Sequence, residues 1–300
     1  QTSVLNTPCG RCMDFIRREL FPASHPYANA RLASPDTMNA ITLDDLRDLH
    51  PKLFNPANAV LAIAGNVDEA QLLPLIRRYF EPIPSQPVPP RVNPDQTIRG
   101  ETRITVAANI PHPVVKVAWA TPGLYSDDDL ALDVLSELLR GGVTNLLNWR
   151  IKQQQLANAV WASQGSLRDR SVYRIEAEVA DGIAPEQVLE AIDGVIGLLK
   201  TQGISPAMTS GAVNGALLDY GSESFTQSYR ARSTCHWQLV TGRNANLDDR
   251  LAVIGKVTPE TLVNVVKRHF GPNRVVLVAT PDRGAPLAGE LRSVARMVQK

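Results

Sequence analysis

The sequence predicts an α+β fold: an antiparallel or mixed sheet packed against helices, with part of the fold duplicated. Three observations predict it. Strands and helices come in runs, ββααββα followed by helices and a last strand, rather than in regular βα alternation. One helix–turn–strand unit occurs twice at a constant offset. A proline-rich stretch separates the chain into an N-terminal part and a longer C-terminal part.

The repeated unit organises the rest. In its first copy Thr42 caps a helix, and Asp45 sits three residues later where a capping-box acid belongs. Leu43, Leu46, Leu49 and Leu53 recur at helical spacing, and Asn55-Pro56 breaks the pattern. The apolar run Ala59 to Ala64, stopped by Gly65, predicts a strand covered on both faces. The second copy starts at Thr258-Pro259-Glu260, ends its helix at His269-Phe270 and continues into Val275–Ala279. Thr42 maps to Thr258, Leu46 to Leu262, Phe54 to Phe270, Pro56 to Pro272 and Val60 to Val276, each 216 residues on (270 − 54). Gap-free agreement across a supersecondary unit, including the shared Phe-x-Pro turn, indicates duplication. The second repeat begins near Glu101, so its partner would begin well before Gln1. The chain is therefore expected to hold the tail of one repeat and the whole of the next.

Element by element, the N-terminal part reads as a helix from Cys12 to Leu20, a loop holding His25-Pro26-Tyr27, a short helix after Pro35, the repeat unit, and a helix over Glu69–Phe80. Six prolines between Glu81 and Asp95 mark the boundary, giving a domain over 1–85, a linker over 86–100 and a domain over 101–300. The second domain opens with strands over 103–107 and 114–119. Ser126 and the acids Asp127, Asp128 and Asp129 start a helix that Gly141-Gly142 closes. A helix over about 145–155 follows, then a hairpin of strands 157–164 and 171–179. A helix from Pro185 to Leu199, two more over 208–222 and 226–241, and the second repeat unit complete it.

Composition limits function. The 300 residues are 44% apolar but only 5% aromatic, so the cores are aliphatic. The net charge of +1 comes without a basic block, which argues against nucleic-acid binding through phosphate contacts. No apolar run approaches the ~18–20 residues of a membrane-spanning helix.

Candidate metal or redox residues are few. Cys9-Gly10-Arg11-Cys12 lacks a second ligand pair beyond Cys235-His236, whose adjacent positions suit zinc poorly. No strand precedes Cys9, as a redox motif would require. Structural roles are the expectation for all four residues. The five histidines, His25, His50, His112, His236 and His269, stand isolated. His25 is expected to be structural, and His50 and His269 lie near helix C-termini, where a partly charged imidazole suits the dipole.

The series Leu20-Phe21-Pro22, His25-Pro26-Tyr27, Ile41-Thr42, Asp45-Leu46, Asn58-Ala59, Ala64-Gly65-Asn66-Val67-Asp68 and Tyr79-Phe80-x-Pro82-Ile83-Pro84 resembles the pitrilysin/insulinase-type zinc metallopeptidases. There it forms the latter part of a metal-binding domain. Val117-x-Trp119-x-x-Pro122, Asp129 through Leu135, Leu138-x-x-Gly141-Gly142 and Val257-Thr258-Pro259-Glu260 are similar to the homologous domain that follows. The resemblance implies an inverted His-x-x-Glu-His zinc motif, which this sequence does not contain and which the family places upstream of residue 1. No catalytic residue and no metal ligand can therefore be assigned here, and substrate-binding residues stay open. Arg174 lies on a strand, but no Tyr follows at the spacing the family uses for a substrate-holding pair. The resemblance implies zinc in a parent protein or partner rather than in this chain. It implies as partners the remaining domains of the parent or an active peptidase subunit, and a peptide enclosed in a chamber between two halves. It is compatible with a bacterial periplasm or envelope. A zinc-free partner or scaffold subunit is the alternative. A small-molecule binding protein is a third reading, disfavoured because no Gly-rich loop or ionisable cluster marks a pocket.

Overall fold

A computed structural model describes residues 12–28, 35–88, 98–140, 145–223, 225–243, 247–282 and 293–299. The chain forms two compact units, neither contiguous in sequence. One gathers Gln1–Arg31, Pro94–Leu218 and Val253–Lys300, the other Leu32–Asn93 and Asp219–Ala252.

The larger unit is built on a six-stranded mixed sheet. Its strands are β1 (Glu101–Ala108), β2 (Val114–Pro122), β3 (Ala157–Gly165), β4 (Arg170–Val179), β5 (Arg274–Pro281) and β6 (Ser293–Gln299), in the order β3-β4-β2-β5-β1-β6. The order explains the class. β3 and β4 form the expected antiparallel hairpin, and β4 lies antiparallel to β2. β5, from the far end of the chain, then inserts between the first two strands. It runs antiparallel to β2, with Val117 opposite Val276, and parallel to β1, with Thr102 opposite Val275. β6, which the sequence pattern did not predict, closes the edge antiparallel to β1.

Helices cover both faces. α1 (Cys12–Leu20) places Cys12, Ile16 and Leu20 on Ile104, Val106, Val275, Leu277 and Ala279. The other face takes α5 (Asp127–Arg140), α6 (Pro185–Thr201) and α10 (Pro259–His269), whose apolar stripes are buried. Between them sits a cluster in which Phe270 lies 4.8 Å from both the Trp119 and the Tyr173 rings, and Trp119 Nε1 donates to the Gly271 carbonyl at 3.1 Å. Residues 145–155, expected to be helical, instead hold a short π-helical segment at Asn148–Lys152. Gly141-Gly142, expected to end α5, lie outside the described residues.

The smaller unit holds α2 (Pro35–Ala40), α3 (Leu43–Leu53), α4 (Glu69–Phe80), α8 (Gln227–Thr241) and most of α9 (Leu247–Ile254), which was unexpected from sequence. α7 (Pro206–Glu223) runs from one unit into the other. The repeat shows in the caps. Thr42 and Asp45 form a reciprocal capping box, Asp45 N–H donating to Thr42 Oγ1 at 3.2 Å and Thr42 N–H to Asp45 Oδ2 at 2.8 Å. Thr261 N–H likewise donates to Thr258 Oγ1 at 3.2 Å and Thr258 N–H to Thr261 Oγ1 at 3.4 Å. The predicted strand 59–64 is a correction: it forms no ladder among the described residues. A strand is defined by its neighbours, and what this stretch has from far along the chain is Cys235 Sγ donating to the Val60 carbonyl at 3.3 Å.

Candidate functional site

The sequence candidates do not converge. His25 is buried just before the 3₁₀ turn Pro26–Ala28 and stacks on Phe21 at 4.4 Å, its Nδ1 accepting from Tyr27 N–H at 2.9 Å. Burial pushes its pKa below the usual imidazole value, against the opposing pull of Asp169. Tyr27 reaches Asp169 Oδ2 at 3.3 Å, and burial raises its phenol pKa. His50 stacks on Phe54 at 5.0 Å, and His112 Nδ1 meets Asp181 Oδ1 at 3.0 Å. His269 Nε2 lies 2.7 Å from Asp128 Oδ2, near the end of α10 as the dipole argument requires. Burial alone would raise the Asp128 carboxyl, but hydrogen bonds from His269 and Arg268 outweigh it and hold the pKa below its usual range. Cys12 is disulfide-bonded, Cys235 carries a free thiol in α8 beside His236, and Cys9 lies outside the described residues.

Zinc in an enzyme takes three protein ligands and keeps one open position. Among the described residues no group of three His, Cys, Asp or Glu side chains is arranged to hold a metal ion.

What the larger unit does present is a polar sheet face. β2, β4 and β3 place Lys116, Arg174, Glu176, Ser163 and Trp161 on one side, because these residues are register partners across the strands. Lys116 Nζ donates to Glu176 Oε2 at 2.9 Å, Arg174 lies 3.1 Å from Glu176 Oε1, and Arg174 Nε donates to Ser163 Oγ at 3.0 Å. Trp161 is half exposed at the end of this row. Period-two charges in Arg174-x-Glu176-x-Glu178 were the available signal. On the helical side, a cavity of about 630 Å³ is lined by Glu137, Leu138, Asn145, Leu146, Met208 and Gly211. Neither place pairs a nucleophile with a base.

The family profile described as "Peptidase M16 inactive domain" matches residues 40–215, more than half of the chain. The chain belongs to the peptidase M16 family. That is the pitrilysin-type zinc protease family implied by the motif series. This M16 chain is 27% identical over 278 residues to an uncharacterized zinc protease of Mycobacterium tuberculosis, covering 86% of the chain and 59% of the relative. It is 24% identical over 189 residues to zinc protease PqqE of Helicobacter pylori, covering 61% and 42%. It therefore spans at most about three-fifths of the length of these curated relatives. Among solved structures, a protease from Helicobacter pylori superposes with a TM-score of 0.79 at 22% identity, over 93% of this chain and 71% of that one. The peptidase M16 inactive domain from Pseudomonas fluorescens gives 0.75 at 15%, over 94% and 67%. Complex III2 from Candida albicans gives 0.76 at 15%, over 93% and 68%. These likenesses establish the α+β fold, a mixed sheet with helices packed on it. Among the described residues no helix is long and apolar enough to cross a membrane.

Proposed function

We propose that this chain is the companion part of a zinc peptidase. It forms wall and inter-domain contacts around a peptide, while a metal-bearing domain of the parent polypeptide or of a partner subunit carries out hydrolysis. One observation carries the reading: the match to a domain described as inactive. The polar face of β2, β4 and β3 is the surface we assign to the enclosed peptide. It offers Arg174 and Glu176 for backbone or charged groups and Trp161 for an apolar side chain. A second reading is a zinc-free scaffold subunit, favoured by the same fold in complex III2 from Candida albicans.

The test is zinc content with peptidase activity, measured on this 300-residue chain beside the full-length polypeptide. The companion reading expects about one zinc per chain and peptide cleavage in the longer protein, and neither in this one. A longer protein that is also metal-free and inert would favour the scaffold. Stoichiometric zinc in this chain would overturn both.

A further inference from the structure

We propose that the cavity between α6, β5 and the turn after α10 binds a small apolar carboxylate, with Lys200 as its charge partner. The ligand is a free acid or the C-terminal residue of a peptide. The cavity measures about 320 Å³, at the small end of the range for ligand pockets. Trp119, Ile196, Gly197 and Pro272 form its apolar wall.

The charges around this cavity do not balance. Arg274 donates Nε–H to Glu101 Oε2 at 2.6 Å and both terminal nitrogens to Asp193. Arg103 also pairs with Glu101. Two guanidiniums thus meet two carboxylates. Lys200 is a third cation, half-buried in the last turn of α6, and among the described residues it meets no carboxylate. Its Nζ donates to the carbonyl of Phe270, the C-cap of α10. That contact uses one of three ammonium hydrogens and offers only the partial charge of a helix end. A half-buried cation beside an apolar cavity is stabilised far more by one full negative charge.

Gly197 opens the space. It lies inside α6 on the face shared by Asp193, Ile196 and Lys200, which stand at helical spacings of three and four. Glycine within a helix is destabilising relative to alanine. No neighbour requires it here, since a Cβ at 197 would meet nothing within 4 Å. The opposite wall is rigid. Trp119 is held by its hydrogen bond to Gly271 and its contact with Phe270, and the Arg274 guanidinium lies 6.0 Å from the Trp119 ring centroid. A preformed site of this kind binds without the cost of ordering its walls. The inference rests on this cavity and not on the companion role, and it holds equally for a scaffold protein.

Isothermal titration of the 300-residue chain with N-acetyl-L-leucine and with N-acetyl-L-leucinamide tests it, because the probes differ only in the carboxylate. The acid should bind with millimolar or tighter affinity, and the amide at least about tenfold more weakly. Lys200→Met keeps the apolar stem and removes the charge, so acid binding should fall roughly ten- to a hundredfold. Gly197→Leu leaves every charge in place, raises helix propensity and fills the cavity. It should abolish acid binding with an unchanged or higher Tm, and it keeps the test decisive if Lys200→Met does not fold. An acetylated tripeptide ending in leucine separates the sources. If it binds as well as the single residue, a peptide terminus is accepted, and if only acetylleucine binds, the ligand is a free acid. Binding by neither acid, equal binding of acid and amide, or binding retained in Gly197→Leu overturns the proposal.

Discussion

Asp129 carries a carboxylate with no solvent exposure at the first turn of α5. It accepts from Ser166 Oγ at 2.6 Å, Gln164 Nε2 at 3.0 Å and Tyr125 N–H at 2.9 Å. Tyr125 has φ 67°, a left-handed conformation that tyrosine rarely adopts, and the carboxylate ties down its N–H. Asp129→Ala strands these donors in a buried site, so denaturant unfolding should show a loss of about 3 kcal/mol, with Asp129→Asn losing less. The acidic start of α5 was legible in Ser126 and the three aspartates. The role of Asp129 was not, because Gln164 and Ser166 lie 35 and 37 positions away and only folding brings them to it. His25 gives a second prediction at this scale. Its Nε2 is buried and meets no hydrogen-bond partner among the described residues. Its folded pKa lies below the unfolded 6.5. The unfolded chain thus binds the proton more readily, and stability is full above pH 6.5 and falls as the pH drops toward the folded value. Thermal unfolding between pH 7.5 and 5.5 should show this slope, and His25→Gln should flatten it.

Among the elements, β5 depends most on one side chain. Arg274 joins β5 to β1 through Glu101 Oε2 at 2.6 Å, and to α6 through both oxygens of Asp193. Burial would raise the Glu101 carboxyl, but Arg103 and Arg274 overcome it and hold its pKa below 4.5. Removing the guanidinium leaves Glu101 nearly buried without one of its two cations. Arg274→Ala should therefore cost about 3 kcal/mol, read by denaturant titration at neutral pH. The stabilisation from Glu101 is present above pH 4.5 and is lost as the pH falls through its depressed value, so the gap between the two proteins should narrow in acid. The helices were legible because caps and apolar periodicity are local, as at Thr42, Thr258 and Pro185. The π-helical turn at Asn148–Lys152 was not, since a π-turn and an α-helix share the same apolar spacing over five residues. The stretch 59–64 has the composition of an inner strand, yet strand structure depends on neighbours that composition does not name.

In the whole molecule, the duplicated unit and the antiparallel hairpin pointed to an α+β class, and the motif series pointed to the family. The strand order was hidden, because nothing local in Arg274–Pro281 says that it belongs between two strands made far earlier. The division into discontinuous units was hidden for the same reason. The polar face of the sheet was only partly legible: Arg174 could be placed on a strand, but its partners Ser163 and Glu176 required the register of β3 on β4. The site assignments rest on geometry that a 300-residue string does not print.

The central place of β5 also sets the order of events during synthesis. β1 pairs only with β5 and β6, and Glu101 and Arg274 are separated by 173 positions. At roughly 5–20 residues per second, β1 waits about ten to thirty-five seconds on the ribosome before its neighbour exists. Over that interval Ile104 and Val106 have no strand beside them, and β2 shows an open flank to any extended chain nearby. Contacts this distant in sequence make for slow folding, and the sheet stays unfinished until β5 has been made.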